Sequence, residues 1–275
     1  MSGPLVAVLD YGIGNLRSAQ KGLERVGADA RLTDDPDLVS QADGVVLPGV
    51  GAFGRCVEAL EATGLAEVAA DAARAAADGG RPFLGICVGL QLLYEGSAEA
   101  PNHRGFGVLD GQVGLLVGDV KRPQMQWNRL DRIGDHPLLA GLVEDPWAYF
   151  VHSYAAPVGP DTVATCCYGS DVCAAVACDN LWGCQFHPEK SGGVGLQVLA
   201  NFVGSLAGVS AGRRSPRSFP PSTSSTAGAS GYSRATTSRR RYTATTRRPR
   251  RGPSRTPEPP GYTSWIWTRR GPVIQ

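Results

Sequence analysis

The stretch R-P-F-L-G-I-C-V-G-L-Q-L, residues 81–92, most constrains what this chain can fold into. Residues 82–86 form an apolar run that reads as a buried strand, and residues 88–94 read as the start of a helix, which puts Cys87 at the turn between them. A strand that passes so abruptly into a helix brings two backbones together. Gly85 and Gly89, two residues either side of the cysteine, lack the Cβ atoms that would collide there. The layout is that of a nucleophile elbow, with a thiol pushed out at the C-terminal edge of a sheet. The helix behind it would turn free N–H groups and the positive end of its dipole toward a thiolate. A buried structural cysteine between packing glycines is the competing reading of this segment alone.

The rest of the chain supplies a sheet for such an elbow. Residues 5–9, 30–32 and 44–47 read as short apolar strands separated by helical patterns, and this alternation predicts a parallel α/β sheet. Residues 55–77, rich in alanine with a period near 3.6, predict one long outer helix leading into the cysteine strand. Beyond the elbow the periodicity changes. Residues 106–109, 112–117, 126–128, 147–154, 162–167, 172–178 and 181–186 read as strands in an antiparallel segment, with tight turns at Gly169-Ser170 and Asp179-Asn180. A helix over 194–206 closes the domain. The Y-G-I-G-N-L turn after the first strand lacks the complete three-glycine spacing of a dinucleotide cradle.

Charge divides the 275 residues into two materials. Residues 1–207 carry 13 Lys+Arg against 24 Asp+Glu, a net of −11; residues 208–275 carry 14 Arg, no Lys and one acid, Glu258, a net of +13. The tail is Arg, Ser, Thr, Pro and Gly without hydrophobic periodicity, a composition that predicts disorder. Seven cysteines, odd in number and without paired C-x-x-C repeats, fit a reducing cytoplasm better than a disulfide framework or a zinc site. With no signal peptide and no apolar run of spanning length, the body is expected to be cytoplasmic and free of the membrane.

Two further groups complete a candidate constellation. In H-P-E, His187 and Glu189 lie two apart across a stiffening proline, so in an extended segment the carboxylate can hold one imidazole nitrogen while the other faces a nucleophile. Cys87 and His187 both fall at predicted strand ends, where an α/β sheet gathers its functional groups. The Gly49-Val50-Gly51 loop ends the third strand and is a candidate second half of an oxyanion hole, the N–H of Val88 being the first. Together these point to a Cys87–His187–Glu189 triad.

The joint occurrence of D-Y-G-I-G-N-L, P-G-V-G-A-F, G-I-C-V-G-L-Q-L, Y-F-V-H-S-Y and Q-F-H-P-E-K-S-G resembles the class I (triad) glutamine amidotransferases, and among them the glutaminase subunits of imidazole glycerol phosphate synthase in histidine biosynthesis. The resemblance covers residues 4 to about 206. It implies a flavodoxin-like, mostly parallel sheet flanked by helices, with an antiparallel strand segment. It also implies Cys87 as nucleophile, His187 as general base and then acid, and Glu189 as its orienting partner. Gly51, Val88 and Gln91 match positions around the glutamine amide and its oxyanion; the backbone of Ser153 and Tyr154 matches the region that holds the amino-acid end. Asn15 and Trp127 fall in segments that face the synthase partner in this family. L-glutamine as substrate, a heterodimer with a (β/α)₈-barrel cyclase partner, and no cofactor, metal or nucleic acid are further implications. Where the family commonly shows H-M-G-W-N, this chain has Gln124-Met125-Gln126-Trp127-Asn128, a departure at the partner-facing segment.

The competing classes are a stand-alone cysteine hydrolase on the same elbow and a nucleic-acid binder led by the basic tail. The acidic body counts against the latter. The tail also reads as the product of a frame shift at the end of the domain. Back-translated with CGN codons for arginine and read from each third base, residues 262–270 permit H-L-V-D-L-D-A-A, and residues 219–227 permit L-P-A-V-D-V followed by V-D-G. These strings resemble two strand motifs of the histidine-pathway isomerase. Trp265 and Trp267, with one codon each, force both aspartates of the first string.

Overall fold

The structure, a computed structural model, describes residues 3–212, with side chains through Leu206. The expected tail lies outside the described residues from position 213 onward. In chain order the strands are β1 (Leu5–Leu9), β2 (Asp29–Thr33), β3 (Gly44–Gly49), β4 (Phe83–Cys87), β5 (Gly96–Ser97), β6 (Gln112–Leu115), β7 (Gln124–Arg129), β8 (Asp131–Arg132), β9 (Trp147–His152), β10 (Tyr154–Ala155), β11 (Thr162–Tyr168), β12 (Ser170–Cys178) and β13 (Leu181–Cys184). The helices are α1 (Leu16–Arg25), α2 (Pro36–Gln41), α3 (Phe53–Ala62), α4 (Leu65–Ala77), α5 (Val88–Gln91) and α6 (Gly192–Gly212). Among the described residues, no helix is long and apolar enough to cross a membrane.

Eight strands make the main sheet in the order β2-β1-β3-β4-β13-β12-β11-β8. The first five run parallel, and β12, β11 and β8 continue the sheet antiparallel. Strands β1, β3 and β4 are almost wholly buried, which is why they read as continuous apolar runs rather than as alternating ones. The order of the parallel half is that of a flavodoxin-like doubly wound sheet, whose crossovers require the helices between strands. Two smaller sheets, β10-β6-β5 and β7-β9, stand apart from it.

Pairing register explains how distant residues meet. Strands β4 and β13 are parallel neighbours with Ile86 opposite Cys184, so both chains leave the sheet at the same edge. One residue further on lies Cys87 on the first, and three further lies His187 on the second. The reversals that deliver β13 to this place are the two expected turns, with Gly169 at φ +74° and Asp179 at φ +49°.

The expected long helix over 55–77 is two helices, broken at Gly64, whose φ of +74° starts α4 in a left-handed conformation. The expected helix after Cys87 is a single turn, α5, and the expected strand over 106–109 does not form. These two differences share a cause. The amides of Phe106, Val108 and Gly107 donate to the carbonyls of Leu92, Leu93 and Tyr94 at 2.7, 2.9 and 3.1 Å, so the loop satisfies the acceptors that a continuing helix would have used. Strand β13 likewise stops at Cys184 rather than 186, and the expected strand over 147–154 is split between β9 and β10.

Candidate active site

Cys87 ends β4 and caps α5 with φ +56° and ψ −110°. A non-glycine residue in the left-handed region is uncommon, and such backbone strain gathers at functional sites. The surrounding glycines make the turn achievable. A Cβ on Gly89 would lie 1.9 Å from the Leu47 carbonyl oxygen, and one on Gly85 would lie 2.6 Å from that of Gly89. Both obstacles are backbone. Cys87 is also the cysteine that borders the open cavity described below. Burial pushes the thiols of Cys56 up to about 11 and of Cys166 and Cys173 up to about 12, which keeps those three protonated and unreactive at neutral pH.

His187 and Glu189 flank Pro188 in a short 3-10 turn. Their side chains are each 2 % exposed, and Nδ1 of the imidazole meets Oε1 of the carboxylate at 2.8 Å. Because a carboxylate can only accept, the proton of that bond sits on Nδ1, and Nε2 is the nitrogen left to exchange a proton with a neighbour. Nε2 is buried and has no hydrogen-bond partner among the described residues. Burial alone would depress the imidazole, but the Cys87 thiol and Glu189 outweigh it and raise its pKa to about 9. Burial would likewise lift Glu189, yet His187 first, and then its own backbone amide and Asn15, hold the carboxyl below its ordinary range.

Cys87 and His187 share a cavity of about 490 Å³ with Asn15, Gly51, Val88, Gln91, Ser153 and Tyr154, so nine of the ten residues singled out from the sequence converge on it or, in the case of Glu189, bond directly to a residue that lines it. The tenth, Trp127, lies on β7, where its ring meets Tyr149 edge-on at a centroid distance of 6.1 Å. The structure turns the amide of Asn15 inward, Nδ2 donating to Glu189 Oε1 at 3.2 Å. Gln91 is likewise engaged. Its Nε2 donates to the Tyr154 carbonyl at 2.9 Å and to Gln185 Oε1 at 3.1 Å, while Gln185 Nε2 reaches Cys87 Sγ at 3.6 Å. A polar chain thus runs from the Tyr154 carbonyl to the sulfur.

Three polar or charged lining residues were not singled out from the sequence. Glu99 borders the cavity while its Oε2 accepts from the Phe53 amide at the start of α3 at 2.9 Å. Lys190 follows Glu189 directly and borders the cavity. His152, within Y-F-V-H-S-Y, donates Nδ1 to the Tyr154 carbonyl at 3.0 Å, and burial lowers its pKa to about 4, so it stays neutral. The motif signalled the segment; only tertiary contact assigns the side chains. Among the described residues, no group of three or more His, Cys, Asp and Glu comes together as a metal ion would need.

The glutamine amidotransferase class-I family model matches residues 7–205. The imidazole glycerol phosphate synthase subunit HisH of Syntrophotalea carbinolica is 47 % identical over 207 residues, covering 72 % of this chain and 98 % of that one. The HisH subunit of Deinococcus radiodurans is 49 % identical over 210 residues, 75 % of this chain and 96 % of its own length. Among solved structures, a glutamine amidotransferase superposes with a TM-score of 0.58 at 20 % identity, covering 74 % of this chain and 99 % of that one. The PurLQS structure from Thermotoga maritima does so with 0.57 at 22 %, covering 74 % and 99 %; at such identities these two speak for the fold. With the family model spanning the described domain and relatives this similar over nearly their whole lengths, the chain belongs to the class I glutamine amidotransferases and, within them, to the HisH type.

Proposed function

We propose that this protein is the glutaminase subunit of imidazole glycerol phosphate synthase, hydrolysing L-glutamine through Cys87, His187 and Glu189. The observation that carries the reading is the buried 2.8 Å His187–Glu189 pair, its Nε2 without a hydrogen-bond partner among the described residues, opening on the same cavity as the strained Cys87. Sγ, its proton held on His187 Nε2, attacks the side-chain amide carbon of glutamine. The N–H of Val88 and an N–H of the Gly49–Gly51 loop hold the resulting oxyanion. Collapse expels ammonia, which takes the proton back from His187 and leaves a thioester. Water, deprotonated by the same nitrogen, then attacks the thioester; glutamate departs and the sulfur regains its proton. Glu189 keeps Nδ1 protonated and the ring aligned throughout.

Substrate selection follows from the cavity wall. The backbone of Ser153 and Tyr154 takes the α-carboxylate, Gln91 lies beside the amide, and the Glu99 carboxylate is suited to the α-ammonium. Ammonia passes to a (β/α)₈-barrel cyclase subunit in a heterodimer. The cyclase uses it to form imidazole glycerol phosphate and aminoimidazole carboxamide ribotide. The segment around Trp127, with Gln124 and Gln126 in place of the usual residues, faces it.

The test is glutamine hydrolysis with and without the barrel partner and its nucleotide ligand, in the native chain and in Cys87→Ala. Glutamine-dependent synthesis is expected to vanish in the variant while synthesis from added ammonia persists, because the second reaction takes place on the partner. Loss of both would make Cys87 a structural residue.

A further inference from the structure

Asn15 stands at the N-cap of α1, and its carbonyl receives the first helical bond from the Ala19 amide at 3.0 Å. Asparagine is favoured at that position because its side chain can accept from the amides of the first turn. Here it makes no such bond. Its Nδ2 instead donates to Glu189 Oε1, 174 residues away in sequence, at 3.2 Å. The side chain has given up its ordinary local role for a distant one, and the helix end stands without side-chain capping.

The acceptor makes that exchange meaningful. Glu189 is 2 % exposed at its side chain, and its other oxygen, Oε2, is buried with no hydrogen-bond partner among the described residues. A desolvated carboxylate with one bare oxygen is held by few bonds, so each one counts toward its orientation. Oε1 takes two donors at once, His187 Nδ1 at 2.8 Å and Asn15 Nδ2 at 3.2 Å. One comes from the turn that carries the carboxylate and the other from the loop after β1. His187 and the Glu189 amide both belong to the turn that carries the carboxylate; the Asn15 donor ties it to a separate element.

Resting on the triad reading above, we infer that Asn15 is a positioning residue for the reaction, anchoring the Glu189 carboxylate so that His187 Nε2 stays directed at the Cys87 sulfur. The D-Y-G-I-G-N loop then joins the partner-facing side of the domain to the general base through one side-chain bond.

The experiment uses the assembled complex and compares Asn15→Ala, Asn15→Asp, Glu189→Ala and the double variant Asn15→Ala/Glu189→Ala, with Cys87→Ala as the reference for a chain without glutaminase chemistry. Aspartate caps a helix as well as asparagine does, so a purely structural Asn15 predicts that Asn15→Asp behaves as the native chain. A positioning role predicts the reverse, because a second carboxylate would face Glu189. The expected result is a fall in glutaminase kcat of about 10-fold in Asn15→Ala and of about 100-fold in Asn15→Asp, with KM for glutamine, assembly of the complex and ammonia-dependent synthesis unchanged. In the Glu189→Ala background the Asn15→Ala change should cost nothing more. Full activity in Asn15→Asp, additive losses in the double variant, or a defect confined to assembly would each overturn the inference. If Cys87→Ala retained glutaminase turnover, it is the triad reading that would fall.

Discussion

The two segments that meet at this site are held in place by different physics. At Cys87 the backbone is fixed by exclusion: the turn exists because Gly85 and Gly89 leave room where any Cβ would meet main-chain atoms. At His187 hydrogen bonds frame it, beside one close approach behind the turn, where a Cβ on Gly195 would lie 1.9 Å from the Pro188 carbonyl oxygen. The His187 amide donates to the Tyr149 carbonyl at 3.0 Å, while the Ser191 hydroxyl donates to the His187 carbonyl at 2.6 Å and accepts the Tyr149 amide at 3.0 Å. A site built by exclusion fails all at once, since close-packed backbone cannot yield by a few tenths of an ångström. One built by bonds should degrade in steps. The proposed nucleophile, which must emerge at one angle, has the first kind of support; the proposed base, which would move a proton and tolerate two charge states, rests mainly on the second.

The sharpest way to break the contrast is Gly89→Ala. A methyl group 1.9 Å from the Leu47 carbonyl oxygen forces strand and helix apart, and the expected cost is about 3 kcal/mol or more, with glutaminase activity lost along with it. Thermal melts followed by circular dichroism read this directly. A melting temperature close to that of the native chain would show that the elbow can relax, and the steric account would fail.

Ser191→Ala tests the other half and should do less. It removes two bonds from a buried frame, at a cost of about 1–3 kcal/mol, and leaves the Tyr149 carbonyl and the Nδ1–Glu189 bond to hold the ring. Turnover of glutamine is expected to drop by about 10-fold while ammonia-dependent synthesis by the complex continues. If this variant unfolded as readily as Gly89→Ala, the hydrogen-bonded segment would be no more forgiving than the elbow.

The same contrast explains what could be read in the sequence. Steric requirements are local, so G-I-C-V-G was legible as an elbow, and the turns at Gly169 and Asp179 were legible from residue types that tolerate positive φ. H-P-E was legible because its two members are two residues apart. Bonds between distant elements leave no such trace. Resemblance placed Asn15 in a partner-facing segment, but nothing local says that its amide turns to Glu189 rather than to its own helix. Nor does periodicity reveal the break at Gly64, because the alanine pattern runs on across it and only the backbone conformation interrupts the helix. The missing strand at 106–109 is the same lesson: β-prone residues were claimed by the carbonyls behind the elbow.

The smallest effect expected sets the zero of this scale. Among the described residues, the bonds and close approaches named for the two halves of the site come from positions between Asn15 and Gly195, and the relatives reach 96–98 % of their own lengths within 72–75 % of this chain. Residues 208–275, with 14 Arg and a single acid, add no hydrophobic periodicity from which a core element could be built. Deleting them should therefore leave both the melting temperature and the stimulated glutaminase rate unchanged, whereas Gly89→Ala and Ser191→Ala should show the same losses in the shortened chain as in the full one. A fall of several degrees on truncation would mean that the segment supports the domain. Binding to nucleic acid that weakens with salt and disappears with the deletion would instead give the segment a role of its own. Reading the nucleotide sequence across the junction separates these from the frame-shift account, which requires the H-L-V-D-L-D-A-A string to be encoded in the next frame opposite Trp265 and Trp267.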